Sequence, residues 1–169
     1  MPRRWSLPAA LASLALGGLA CSRAQTGSTG PSSSQYEIVF PSTEAAIATQ
    51  QVEVLVFDTS MEGADCLSLL ITRQAGAPLP ESPTLLLDTG AIGTCSLAGG
   101  GGSLDVAYGP RSFLVVAESG GEDLFTGCAQ ADVEPNTPPI VVPIAQAATP
   151  TALPTTSCTS LSQKCDGGC

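Results

Sequence analysis

The sequence predicts an all-β fold: a single antiparallel β-sandwich of seven or eight short strands. Three observations lead there. The 169 residues include 18 Gly and 14 Pro, with only 12 % charged and 4 % aromatic side chains. That mix suits short strands and turns better than long helices. Short apolar or alternating runs recur between turn residues, as half-buried or fully buried strands do. The third observation is Ser103–Cys128, which reads as the middle of the sandwich. There Leu104, Val106 and Tyr108 alternate with small or polar residues, Gly109-Pro110 makes a corner, and Phe113–Ala117 is a continuous apolar run. Such a run, bounded by turn residues, predicts a strand buried on both faces. Ser119–Asp123 supplies a hairpin and Leu124–Ala129 the returning strand.

The other elements follow along the chain. Met1–Ala20 has the parts of a signal peptide: Arg3 and Arg4, an apolar run Leu7–Leu19, and small residues before a cut. The run falls short of the about 20 residues a membrane-spanning helix needs. Cys21 follows. Gly-Leu-Ala-Cys resembles the lipobox of bacterial lipoproteins, although Leu19 stands two before the Cys where the family usually has its Leu three before. The resemblance implies diacylglycerol on the Cys21 sulfur and an acylated amine after cleavage. The absence of Asp after Cys21 (Ser22-Arg23 follow) points away from inner-membrane retention. Residues 21–34, rich in Gly, Ser and Thr, read as a flexible tether. A chain of about 13 such residues spans about 20 Å.

The folded body is expected over 35–145. Tyr36–Phe40 opens it, and Gln51–Asp58 is an internal strand with Val52, Val54 and Val56 on one face and Leu55 and Phe57 on the other. Cys66–Thr72 and Thr84–Asp88 read as further strands, Ala98–Gly102 as a loose connection, and Pro135–Pro139 as a rigid loop. Ile140–Ile144 is the last strand, placed at an edge or strand end by Pro143. Residues 146–169 form a Pro/Thr linker and a Cys-rich tail.

Composition excludes several chemistries. There is no His, which removes Ser-His-Asp and Cys-His catalysis and His-containing zinc sites. Cleavage of Arg3 and Arg4 takes the 6 basic residues to 4, against 15 acidic, and the net charge from −9 to −11. A surface that acidic repels nucleic acid. No cofactor motif is present: Gly99–Gly102 lacks the Gly-Lys-Ser/Thr of a phosphate loop.

Seven cysteines become six once Cys21 is acylated, an even number suited to an oxidising compartment. Cys66, Cys95 and Cys128 lie in the body; Cys158, Cys165 and Cys169 lie in the tail. Three on each side cannot all pair within their groups, so at least one bridge must join tail to body. A single crossing bridge is the expectation, because the tail cysteines are close enough to close a local loop. The spacing Cys165-x3-Cys169 also admits a metal site, but no second close pair and no His accompany it, so no metal is expected.

The segment from Leu104 through Gly109 to Ala117 resembles part of transthyretin-like and carboxypeptidase-regulatory-like domains, which implies a transthyretin-like or Ig-like sandwich. The chain as a whole resembles short secreted lipoproteins of uncharacterised function from Gram-negative soil bacteria, through Phe-Pro-Ser-Thr-Glu, Gly-Cys-Ala and the Cys-rich end. That resemblance implies location and architecture rather than an activity.

One stretch has catalytic form. Leu85-Leu86-Leu87-Asp88-Thr89-Gly90-Ala91 resembles the active-site turn of retropepsins, which implies a dimer pairing two Asp88 carboxylates. Asp58-Thr59-Ser60 lacks the Gly needed for an internal partner. The same triplet is also a common strand-end turn, with Asp capping local amides and Gly at positive φ. The expectation is therefore a non-catalytic lipoprotein of the cell envelope, held at the outer membrane through Cys21, that binds an envelope protein or glycan or serves structurally. The alternative is a dimeric aspartic peptidase using Asp88.

Overall fold

Val52, Val54 and Val56 point to one side of their strand, Leu55 and Phe57 to the other, and all five are 5 % exposed or less. A strand can be dry on both faces only as the middle of three layers. The computed structural model, which describes residues 32–97, 101–149, 151–155 and 157–169, has that arrangement. Cys21, the signal segment and the first part of the tether lie outside the described residues.

In chain order the elements are β1 (Ser32–Val39), α1 (Thr43–Ala48), β2 (Gln51–Asp58), α2 (Cys66–Gln74), β3 (Leu85–Asp88) and β4 (Ile92–Gly93). A 3-10 turn (Thr94–Leu97), β5 (Gly101–Val106), β6 (Gly109–Ser119) and β7 (Glu122–Val133) follow, then β8 (Ile140–Pro143), β9 (Ala145–Gln146) and α3 (Leu161–Cys165). One sheet has the order β5-β1-β8; the other has β3-β2-β6-β7-β9, with β4 also on β2. The two sheets face each other across Tyr36, Ile38, Leu104, Val106, Ile140 and Val142 on one side and Val52, Val54, Val56, Phe113, Val115 and Phe125 on the other. The outer face of the larger sheet buries Leu55, Phe57, Leu114 and Val116 against Ala64 and Leu69. Phe113–Ala117 is thus buried on both faces, and β2 is internal, as the sequence predicts.

The sandwich is correct and carries an extra layer. Cys66–Thr72, expected as a strand, is the first part of α2. Asp65 caps that helix, its carboxylate accepting from Ser68 N–H at 3.0 Å and from the Ser68 hydroxyl at 2.6 Å. Leu69 then packs onto the sheet, while Leu67 and Ile71 face outward. The tether also ends sooner than expected. Ser32, Ser33 and Ser34 pair with Val106, Asp105 and Leu104 of β5, because a ladder is made by the backbone and tolerates serine. Gly101 and Gly102 belong to β5 rather than to a loose connection. One pairing is parallel, β1 with β8, since β8 returns from the other sheet in the direction of β1.

The chain crosses between the sheets five times, and two of the crossings are tightly built. Between β5 and β6 the chain turns the Gly109-Pro110 corner, where buried Arg111 donates to the carbonyls of Ala107 (3.0 Å), Tyr108 and Pro110 (2.8 Å) and pairs with Asp58 at 3.2 Å. Between β8 and β9 the chain passes close over Gly127. A Cβ there would run into Pro143 O and stand 2.8 Å from Ile144 Cα. The β6–β7 hairpin closes on Gly120 (φ +64°) and Gly121 (φ +82°), the left-handed pair that a two-residue turn of matching twist needs.

Candidate functional site

Arg73 sits in the last turn of α2, one turn beyond Leu69. That turn lies over the end of the larger sheet where the β6–β7 hairpin folds back. Its guanidinium grips Asp123 as a fork, Nε to Oδ2 and Nη2 to Oδ1, both at 2.7 Å, and reaches Glu118 Oε1 at 3.2 Å. Glu118 Oε2 in turn accepts from Gln51 Nε2 at 2.9 Å. The bond to Asp123 pushes the Arg73 pKa up, so the fork is permanently charged. Beside it opens a pocket of about 290 Å³, walled by Arg73, Glu122, Asp123, Thr126, Ala147 and Thr149. Its polar groups are hydrogen-bonding side chains and its apolar ones are methyls. A small polar molecule suits that lining, and the volume is at the lower end of small-ligand sites.

Two further carboxylates lie on the same outer face. Glu53 of β2 is half-buried, and burial, with Asp88 nearby, raises its pKa above the usual Glu range; Arg73 works in the opposite direction. Glu53 was not singled out by its sequence context, where it only interrupts an apolar strand. Its nearness to Asp88 comes from the register, which sets Asp88 opposite Leu55, two residues along β2.

The Asp-Thr-Gly triplet joins β3 to β2. Asp88 is exposed and its Oδ1 accepts from Gly90 N–H at 2.7 Å, with Gly90 at φ +60°. Thr89 Oγ1 accepts from Val54 N–H at 2.9 Å and donates to Gly90 O at 2.9 Å, while Thr89 N–H donates to Val54 O at 3.1 Å. This is the strand-end turn, with Asp capping a local amide. Asp58 lies further along β2, opposite Arg111, and its carboxylate accepts from Ser60 N–H and the Ser60 hydroxyl at 3.0 and 2.7 Å. Those bonds hold its pKa low.

All six cysteines of the body and tail are paired: Cys66 with Cys128, Cys95 with Cys165, and Cys158 with Cys169. The first pins α2 to β7, the second is the one bridge between tail and body, and the third closes the tail on itself. Cys165 and Cys169 are therefore engaged in different disulfides. Next to the crossing bridge, Lys164 Nζ donates to Ile47 O at 2.8 Å and to Thr49 O, carbonyls at the end of α1, the second also accepting from the Thr94 hydroxyl at 2.8 Å. Desolvation lowers the Lys164 pKa.

Compared with known protein families, curated proteins and solved structures, the chain matches none.

Proposed function

We propose that this chain is a non-catalytic, lipid-anchored module of the cell envelope that binds a small polar envelope ligand beside Arg73. The observation that supports it is the cysteine pairing. Six cysteines close three disulfides among themselves, which suits an oxidising compartment and leaves none of them for Cys21. A thiol left over at the end of a signal-like segment is what lipidation requires. The tether joins the fold at Ser32, at the end of the sandwich that holds the Gly109–Arg111 corner. Glu118 and the pocket lie at the other end of β6, about 30 Å away at strand rise. The tether therefore enters the fold at the end opposite the pocket. Palmitate labelling tests the reading: label should follow the wild type into membranes, and Cys21→Ala should abolish it. A soluble, unlabelled wild type would contradict the anchor.

The alternative, an aspartic peptidase, has one observation in its favour, a second carboxyl of the same chain (Glu53) beside Asp88, although the retropepsin form would pair Asp88 with that of a second copy. Acid-pH proteolysis of a denatured protein substrate that disappears in Asp88→Asn would replace the binding reading with this one.

A further inference from the structure

Between Glu134 and Lys164 stands no Asp, Glu, Lys or Arg, the longest uncharged stretch in a chain of net charge −9. From residue 148 the described residues of that stretch belong to neither sheet. Ala147 N–H donates to Leu124 O at 3.0 Å, and the next backbone-to-backbone hydrogen bond among the described residues is Lys164 N–H to Ser160 O. Thr149 and Thr155 are exposed and Thr151 is half-buried. The hydroxyls of Thr49, Thr89, Thr94, Thr137 and Thr159 are engaged with nearby partners. Those of Thr149, Thr151 and Thr155 make no hydrogen bond among the described residues.

We infer that Thr149, Thr151 and Thr155 are acceptors for O-linked sugars, an inference that rests on the chain being exported as proposed above. A glycosyltransferase must seat its acceptor in an extended form, and residues already in a ladder or helix must unfold to enter. Here none of the described residues has to leave a strand or helix. Pro150 and Pro154 also steer the residues before them, Thr149 and Leu153, away from helix. Ser/Thr-rich sequence with interspersed Pro is the composition of O-glycosylated stalks.

The transfer is redox-neutral. The threonine oxygen attacks the anomeric carbon of a diphosphate-linked sugar, and the new C–O bond to threonine replaces the C–O bond to the diphosphate. The hydroxyl proton passes to a base of the transferase, and the diphosphate leaves with the bonding pair.

The test is mass spectrometry of the protein taken from the envelope of its own cells, its free thiols alkylated with one reagent, its disulfides then reduced and alkylated with a second, and the chain cleaved before Asp132. The peptide beginning at Asp132 should carry whole-sugar mass increments that fragmentation places on Thr149, Thr151 or Thr155. The variant T149V/T151V/T155V should lose them while keeping the same three disulfides. A bare peptide, a phosphate in place of sugar, or sugar that persists in the triple variant would overturn the inference. The Cys21 peptide is read in the same spectra: acyl on Cys21 with a bare linker defeats the glycan alone, whereas an unacylated Cys21 in a reduced protein defeats the export reading with it.

Discussion

Glu53 sits in an environment that its strand alone does not suggest. It shares the outer face of β2 with Leu55 and Phe57, and burial and then Asp88 raise its pKa, with Glu118 adding and Arg73 subtracting. A raised carboxyl binds its proton more tightly in the native than in the unfolded chain. Its contribution favours folding below the ordinary Glu range and is lost as pH rises through the raised value. Asp58 and Asp65 run the other way. Ser60 and Ser68 hold their pKa values down, so they favour the fold above the ordinary Asp range and cease to on acidification. Glu53→Gln should therefore raise the urea midpoint at pH 7, and the gain should shrink towards zero as pH falls to where Glu53 is protonated anyway. A gain independent of pH would show that the charge is not the cause. The alternation of Val52, Val54 and Val56 was legible in the sequence, as was the capping role of Asp88 in its turn. The Glu53–Asp88 approach was not, because it depends on the register between β2 and β3, which no local pattern states.

Among the elements, α2 shows where periodicity misleads. Cys66-Leu-Ser-Leu-Leu-Ile-Thr is a short apolar run, and such runs cannot be assigned to strand or helix by pattern alone. The deciding signals flank it: Asp65 as cap with Ser68 three residues on, and Gly76 just past the end, at φ +65°. The serines of β1 mislead in the opposite sense, since their composition reads as linker and their partner strand lies about seventy residues away along the chain. By contrast the hairpin at Gly120-Gly121 and the edge position of β8 were readable, each resting on a backbone property of Gly or Pro. The crossing from β8 to β9 gives the sharpest test at this scale. Gly127→Ala must push the backbone of Pro143 and Ile144 away, which should cost about 2–3 kcal/mol as overpacking does. Gly93→Ala, whose added carbon meets nothing nearer than the Ser96 hydroxyl oxygen at 4.0 Å, should change stability by less than about 1 kcal/mol. Equal denaturation midpoints for the two variants would contradict the close approach at Gly127.

For the whole molecule, counting cysteines foretold that the tail is fastened to the sandwich by a single bridge, and the pairing agrees. Which residues meet was not legible, because Cys95 and Cys165 are 70 residues apart and only the packing of α3 beside the 3-10 turn and α1 brings them together. Closing a loop of that length stabilises by about 4 kcal/mol in the chain-entropy view, a useful addition for a chain with 4 % aromatic residues. The oxidised, exported state is the premise on which both the anchor and the clasped tail depend. Its most direct measurement is non-reducing mass spectrometry of the membrane-extracted protein, alkylated under native conditions and nicked by protease between residues 148 and 157. The account predicts that no thiol is alkylated and that the nicked tail stays attached at full mass, leaving as a separate peptide only when a reductant is added. Release of the Cys158–Cys169 peptide without reductant, or alkylation of Cys95 and Cys165 in the folded protein, would contradict it.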